Sequence, residues 1–182
     1  MRTSRTLLAG GALALAALLG VVLGDALGWD VDTTILLGIA LGGVLAIAGS
    51  GGVFWRLLGF GIGFAVAWAS YPIRAGVLPD SSSGRAVAAV VVVLLVTGLI
   101  ALTFGRTPLW SGLLGVAAMV GAYEAAFTAS PPDVLSTSPT WATSILLSSA
   151  LGFAAGVWFS SGDEEEDLEQ GYALQSSSEA GE

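Results

Sequence analysis

Apolar residues run in long blocks along this chain, and polar residues fall between the blocks. Six stretches, about 6–24, 34–50, 53–71, 86–104, 109–129 and 141–160, are built almost wholly of Ala, Val, Leu, Ile, Gly and Phe. A bilayer core about 30 Å thick needs roughly 20 apolar residues in a helix. The blocks have about that length, except 34–50, the shortest, which local thinning or flanking by its neighbours would accommodate. Irregular backbone cannot face lipid, and the alternation of a lipid-facing barrel is absent. The pattern predicts an all-α, polytopic membrane helical bundle of six transmembrane helices, with residues 1–162 as its transmembrane domain.

Tryptophan and arginine orient the blocks. Trp29, Trp55, Trp68, Trp110, Trp141 and Trp158 fall at or near block ends, where an indole keeps its body in oil and its N–H among headgroups. With six spans and the amino terminus inside, Arg2, Arg5, Arg56 and Arg106 lie on the cytoplasmic side, and Arg74 and Arg85 outside. That excess predicts a multi-pass protein of the cell membrane with both termini cytoplasmic. Arg56 and Arg106, beside Trp55 and Trp110, read as interface anchors together with Trp141 and Trp158; a lipid-headgroup contact is the sharper alternative. A basic start and a small-residue site at Gly24–Ala26 give the first block the form of a cleavable signal peptide, which would leave five helices. Its apolar run exceeds the roughly 7–15 residues of such leaders, so the first helix is expected to be retained.

A longer period runs beneath the blocks. The second carries Thr34, Gly38, Gly42, Ala46 and Ser50 at steps of four; the sixth carries Ser144, Ser148, Gly152, Gly156 and Ser160. The fourth, midway, carries Ala89, Val93, Thr97, Ala101 and Gly105. A shift of about 55 residues relates the sets and predicts three tandem helical hairpins, roughly 1–52, 53–107 and 108–162. Small residues at i and i+4 let backbones approach closely in lipid. Gly20/Gly24, Gly38/Gly42, Gly59/Gly63 and Gly152/Gly156, with Ser148, are therefore expected to pack helices, within the bundle or across a homo-oligomer or another membrane partner.

Composition sharpens the class. The chain is 54% hydrophobic and 11% charged, with mean hydropathy +0.83, whereas soluble domains carry about 25% charged residues. The net charge of -8 belongs to one place. Eight acids follow residue 162, and the remaining acids balance the six arginines. Residues 163–182 are expected to form a disordered, cytoplasmic acidic tail, with a docking segment around Leu168, Tyr172 and Leu174 as the alternative. No basic cluster favours nucleic acid. All-arginine basicity, much Ala, Gly and Val, and the Asp/Glu/Ser tail resemble in style the small multi-pass membrane proteins of halophilic archaea, or of actinobacteria. The resemblance spans the chain and rests on no diagnostic motif; it implies a GC-rich genome and a high-salt cytoplasm.

The side-chain inventory is spare. The sequence has no Cys and no His, and its basic residues are all arginine. That removes thiol chemistry, His or Cys metal sites, imidazole catalysis and Schiff bases. Neither a metal nor a cofactor is expected. Ser144, Ser148 and Ser149 have no obvious base, so they read as packing and back-bonding groups. "GFGIGF" at 59–64 has the spacing of neither phosphate loop. The Pro/Ser-rich segments "YPIRAGVLPDSSSGR" and "TASPPDVLSTSPT" read as turns.

Glu124 is the exception. It lies in the fifth block, about five residues or roughly 8 Å from the block's outer end. A charge at mid-bilayer costs on the order of 2.5–3.5 kcal/mol on insertion scales, and less toward the interface. Tyr123 and Tyr71 are candidate donors to it, and Arg74, just past Pro72, is the candidate cation. A hydrogen-bonded staple is the structural reading; a proton or cation site in a transport path is the functional one. The expected role is a non-enzymatic membrane subunit or scaffold in the lipid bilayer. The alternative is a small transporter or channel using Glu124 near an outer vestibule.

Overall fold

The computed structural model describes residues 11, 32–48, 52–77 and 81–179, and for residues 32–33 and 159–179 it describes the backbone alone. Helix α1 runs Asp32–Ile47, α2 Val53–Val77, α3 Ser82–Ala101 and α4 Leu109–Ala129; a 3-10 turn at Pro131–Asp133 leads into α5, Val134–Glu179. The described residues hold no strand. α2, α3, α4 and the stretch Pro131–Trp158 are long and apolar enough to cross a membrane, while Thr34–Ile47 is apolar but shorter. Apart from residue 11, the first predicted block, 6–24, lies outside the described residues, as do Gly20, Gly24 and Trp29.

Large apolar side chains lie outside the bundle as well as inside it, unlike in a water-soluble fold. Leu36, Val90, Leu94, Leu95 and Leu135 point outward, whereas Thr34, Ser111, Ser138, Ser148 and Ser149 are buried. Apolar exteriors on helices of spanning length suit a chain embedded in a membrane, where lipid and not water meets the surface.

Two helix limits differ from the blocks read in the sequence, and a proline lies at each. The third block ends at 71, just before Pro72, and the sixth begins at 141, just after Pro139. α2 instead continues through Pro72 to Val77, and α5 starts at Val134 and passes through Pro139. A proline inside a helix deletes one backbone hydrogen bond, yet spanning helices tolerate it because neighbours re-satisfy the freed groups. α3 begins earlier than the block, at Ser82, because the Ser81 hydroxyl caps it, accepting from the Gly84 N–H at 3.2 Å. α5 carries helical backbone through the acidic stretch to Glu179, where composition predicts an unstructured tail; Glu, Leu, Gln and Ala are strong helix formers.

Packing joins helices that are distant in sequence. α1 packs chiefly on α5, and α2 on α4. Within each pair the helices run the same way. A Cβ on Gly38 would overlap Ser148, one on Gly42 the Ser149 carbonyl, one on Gly152 the Ile39 carbonyl, and one on Gly156 the Ala46 methyl. The small-residue stripes of α1 and α5 therefore meet face to face and in step. Gly59 meets Ser111, Gly63 the Gly112 carbonyl, and Gly115 the Phe60 carbonyl in the same manner. With little hydrophobic driving force between helices in lipid, such close backbone approach supplies the van der Waals contact that holds them.

α3 departs from the expected stripe. It buries Val92, Val96 and Ile100 against Val66 and Val116, while Ala89, Val93 and Ala101 are exposed. Branched side chains reach across to α2 and α4, so this contact needs no small-residue groove. α3 thus lies against the α2–α4 pair through larger side chains, and this leaves open space beside it.

Candidate functional site

The bundle has two ends of different chemistry. At one end α1 finishes, α2 starts, and α3 turns into α4. At the other end α2 finishes, α3 starts, and α4 turns into α5.

At the second end Glu124 projects from α4 toward α2. Arg74 donates from one terminal nitrogen to both Glu124 oxygens, at 2.9 and 3.0 Å. The Tyr71 hydroxyl donates to the second oxygen at 3.0 Å. Tyr71 and Arg74 stand three residues apart on α2 and so share a face. Arg74 also lies in the last turn of α2, where the helix carbonyl end favours a cation. The guanidinium carbon sits 4.6 Å above the Phe127 ring, and Tyr71 packs edge-on to Tyr123 at 5.0 Å and tilted on Phe127 at 4.9 Å. The Arg74 side chain is 8% exposed and that of Glu124 35%. A nearly dry cation is thereby matched with a carboxylate that still reaches the surroundings.

Tyr123 does not join this group. Its hydroxyl meets the Thr137 hydroxyl at 2.6 Å. Thr137 spends its own hydrogen on the Asp133 carbonyl at 2.9 Å, so Tyr123 is the donor. Successive residues on a helix point about 100° apart, which sends Tyr123 toward α5 while Glu124 faces α2. Beside it, the Trp68 indole N–H donates to the Ser138 hydroxyl at 3.0 Å. These two bonds tie α4 and α2 to the first turns of α5. Neither Thr137 nor Ser138 stood out in the sequence, because short hydroxyl residues are common throughout it.

The interface anchors separate into different roles. Arg56 is buried and donates to the carbonyls of Leu45, Ala46 and Ala48 at 3.1, 2.8 and 3.1 Å. It closes the carbonyl end of α1. Its nearness was latent in the short connection between α1 and α2. Arg106 lies with its guanidinium carbon 5.7 Å from the Trp55 ring, a cation–π contact at the same end. Trp158 is largely exposed, whereas Trp110 and Trp141 pack partly against the aromatic core. Among the packing serines, Ser148 returns its hydrogen to the carbonyls of Ser144 and Ile145 at 2.9 and 3.2 Å.

The ion pair forms one end of a cavity of about 460 Å³ between α2, α3 and α4, which Ser70 and Arg85 also line. Among the described residues no three acids, His or Cys converge as a metal would require. The arrangement offers a neutralised carboxylate and a phenol, with no activated nucleophile beside them. No protein-family model matches the chain, and no curated protein or solved structure matches it.

Proposed function

We propose that the chain is a non-enzymatic membrane subunit or scaffold, and that Glu124 is a staple holding α2 to α4. One observation carries this reading: both carboxylate oxygens of Glu124 are taken by Arg74, and one of them also by Tyr71. A group that carries protons or cations along a path must exchange partners, and a carboxylate held by a buried guanidinium resists doing so. In this reading six helices cross the cell membrane as three hairpins of about 55 residues. Both termini are cytoplasmic, so the Glu124 end of the bundle faces outward. The arginine asymmetry supports that orientation. The parallel pairing of α1 with α5 and of α2 with α4 is what alternate spans of such a chain would give.

Affinity purification of the full chain from its native membrane tests the role. A stoichiometric protein partner that is retained in Glu124→Gln is the expected result. The opposing result is ion or solute flux in proteoliposomes that Glu124→Gln abolishes. That result belongs to the second reading, a small transporter or channel, which the cavity beside Glu124 and Arg74 favours.

A further inference from the structure

The cavity between α2, α3 and α4 changes character along its length. Ser70, Tyr71, Arg74, Arg85 and Glu124 line one end of it. Beyond them the wall is Ala88, Ala89 and Val93 of α3 and Leu113, Ala117 and Val120 of α4, together with further apolar residues. The alanines leave the room that leucines would fill. Ala89, Val93, Ala117 and Val120 are exposed, so the space is a groove open to the side of the bundle. From Arg85 to Val93 the helix rises about 12 Å, and from Leu113 to Glu124 about 16 Å. Half of a hydrocarbon core about 30 Å thick is about 15 Å, the depth of one leaflet.

Water fits this groove poorly, since below the polar end it offers no side chain that hydrogen-bonds. A hydrocarbon chain fits it. The charge at the polar end selects further. Glu124 is committed to Arg74, which leaves Arg85 as the unbalanced cation of the lining, exposed and with no acid paired to it among the described residues. The geometry points to a phospholipid site: one acyl chain of the leaflet at the Glu124 end lies in the groove, and the headgroup phosphate rests on Arg85. An anionic headgroup is preferred, because it lacks the ammonium that offsets the phosphate charge in a zwitterionic lipid. The assignment holds for a scaffold and for a transporter alike.

Photo-crosslinking of the full chain tests it. Ala117→p-benzoyl-phenylalanine places a probe on the groove wall, and Leu94→p-benzoyl-phenylalanine places a control on the exposed face of α3. Both are reconstituted in nanodiscs of equal phosphatidylglycerol and phosphatidylcholine, irradiated, and mapped by mass spectrometry. The expected result at Ala117 is a phospholipid adduct enriched about five-fold in phosphatidylglycerol, the size of one basic group's attraction near a membrane surface. Arg85→Gln should remove that enrichment and Arg85→Lys should keep it, while the Leu94 probe shows none. Equal lipid ratios at the two probes would mean bulk lipid and would overturn the site. A crosslink from Ala117 to the chain's own 6–24 segment would overturn it too, by showing the groove filled from within.

Discussion

Removing the two members of the Arg74–Glu124 pair one at a time should not cost the same. Truncating one partner of a buried ion pair costs about 3–5 kcal/mol, because the survivor is left charged and dry. Here dryness is unequal: the Arg74 side chain is 8% exposed and that of Glu124 35%. Glu124→Ala strands the drier group. Its ring contact with Phe127 remains, and its position in the last turn of α2 lets the long side chain move toward the interface. Those reliefs bring the expected loss to about 2–3 kcal/mol. Arg74→Ala leaves a carboxylate that keeps the Tyr71 hydroxyl and retains some exposure, so about 1–2 kcal/mol is expected. The double variant removes both charges and should cost less than the sum of the singles, with a coupling of about 1–2 kcal/mol. Reversible unfolding of the full chain in bicelles, followed by steric trapping, measures all three. Equal single costs, or a double variant that is simply additive, would refute the account of Arg74 as the dry partner.

Gly63→Ala places a methyl on the Gly112 carbonyl, a backbone atom that cannot step aside, whereas Gly61 has nothing within 4 Å. The first should lose about 1–3 kcal/mol in the same assay and the second should be neutral or gain up to about 1 kcal/mol; matched values would show that α2 and α4 do not touch at Gly63. Arg56→Met takes the side-chain donor from three carbonyls of α1. A loss of about 2–3 kcal/mol, with faster amide exchange at the end of α1, is expected, and unchanged exchange there would argue against the capping role. Phe104 sits at φ 54, in the left-handed region, beside Gly105 at φ 78. Phe104→Gly should stabilise the turn between α3 and α4 by about 1 kcal/mol; a clear loss would show that the exposed ring has a contact worth more than its strain.

How much of this was legible depended on whether the signal was local. Pro108 and the Ser130–Pro131–Pro132 cluster bracket the fifth block, and α4 keeps its bounds, Leu109–Ala129. The extensions of α2 through Pro72 and of α5 back through Pro139 were not legible, because the apolar blocks stop short of both prolines. The Gly38/Gly42 and Gly152/Gly156 steps could be read as contact surfaces, but a stripe of small residues does not say which helix it meets. In α3 almost every position is apolar, so no face stood out and the stripe chosen was offset by one from Val92, Val96 and Ile100. At the site, Tyr71 and Arg74 were legible as partners of Glu124 through helical spacing and charge. The turn of Tyr123 toward Thr137 was not, since it depends on where α5 begins. Arg85 on the cavity wall follows from the loose seating of α3, which no spacing encodes.

The in-step pairing of α1 with α5 also bears on how the protein is made. α1 is short and carries a glycine face that suits one other helix, and that helix follows α2, α3 and α4 in the chain. Until Ser148, Gly152 and Gly156 arrive, the furrow along Gly38 and Gly42 stays vacant. The α1–α5 seam therefore closes only after α2, α3 and α4 have been made, and a nascent chain halted before Ser148 leaves the Gly38 and Gly42 face uncovered.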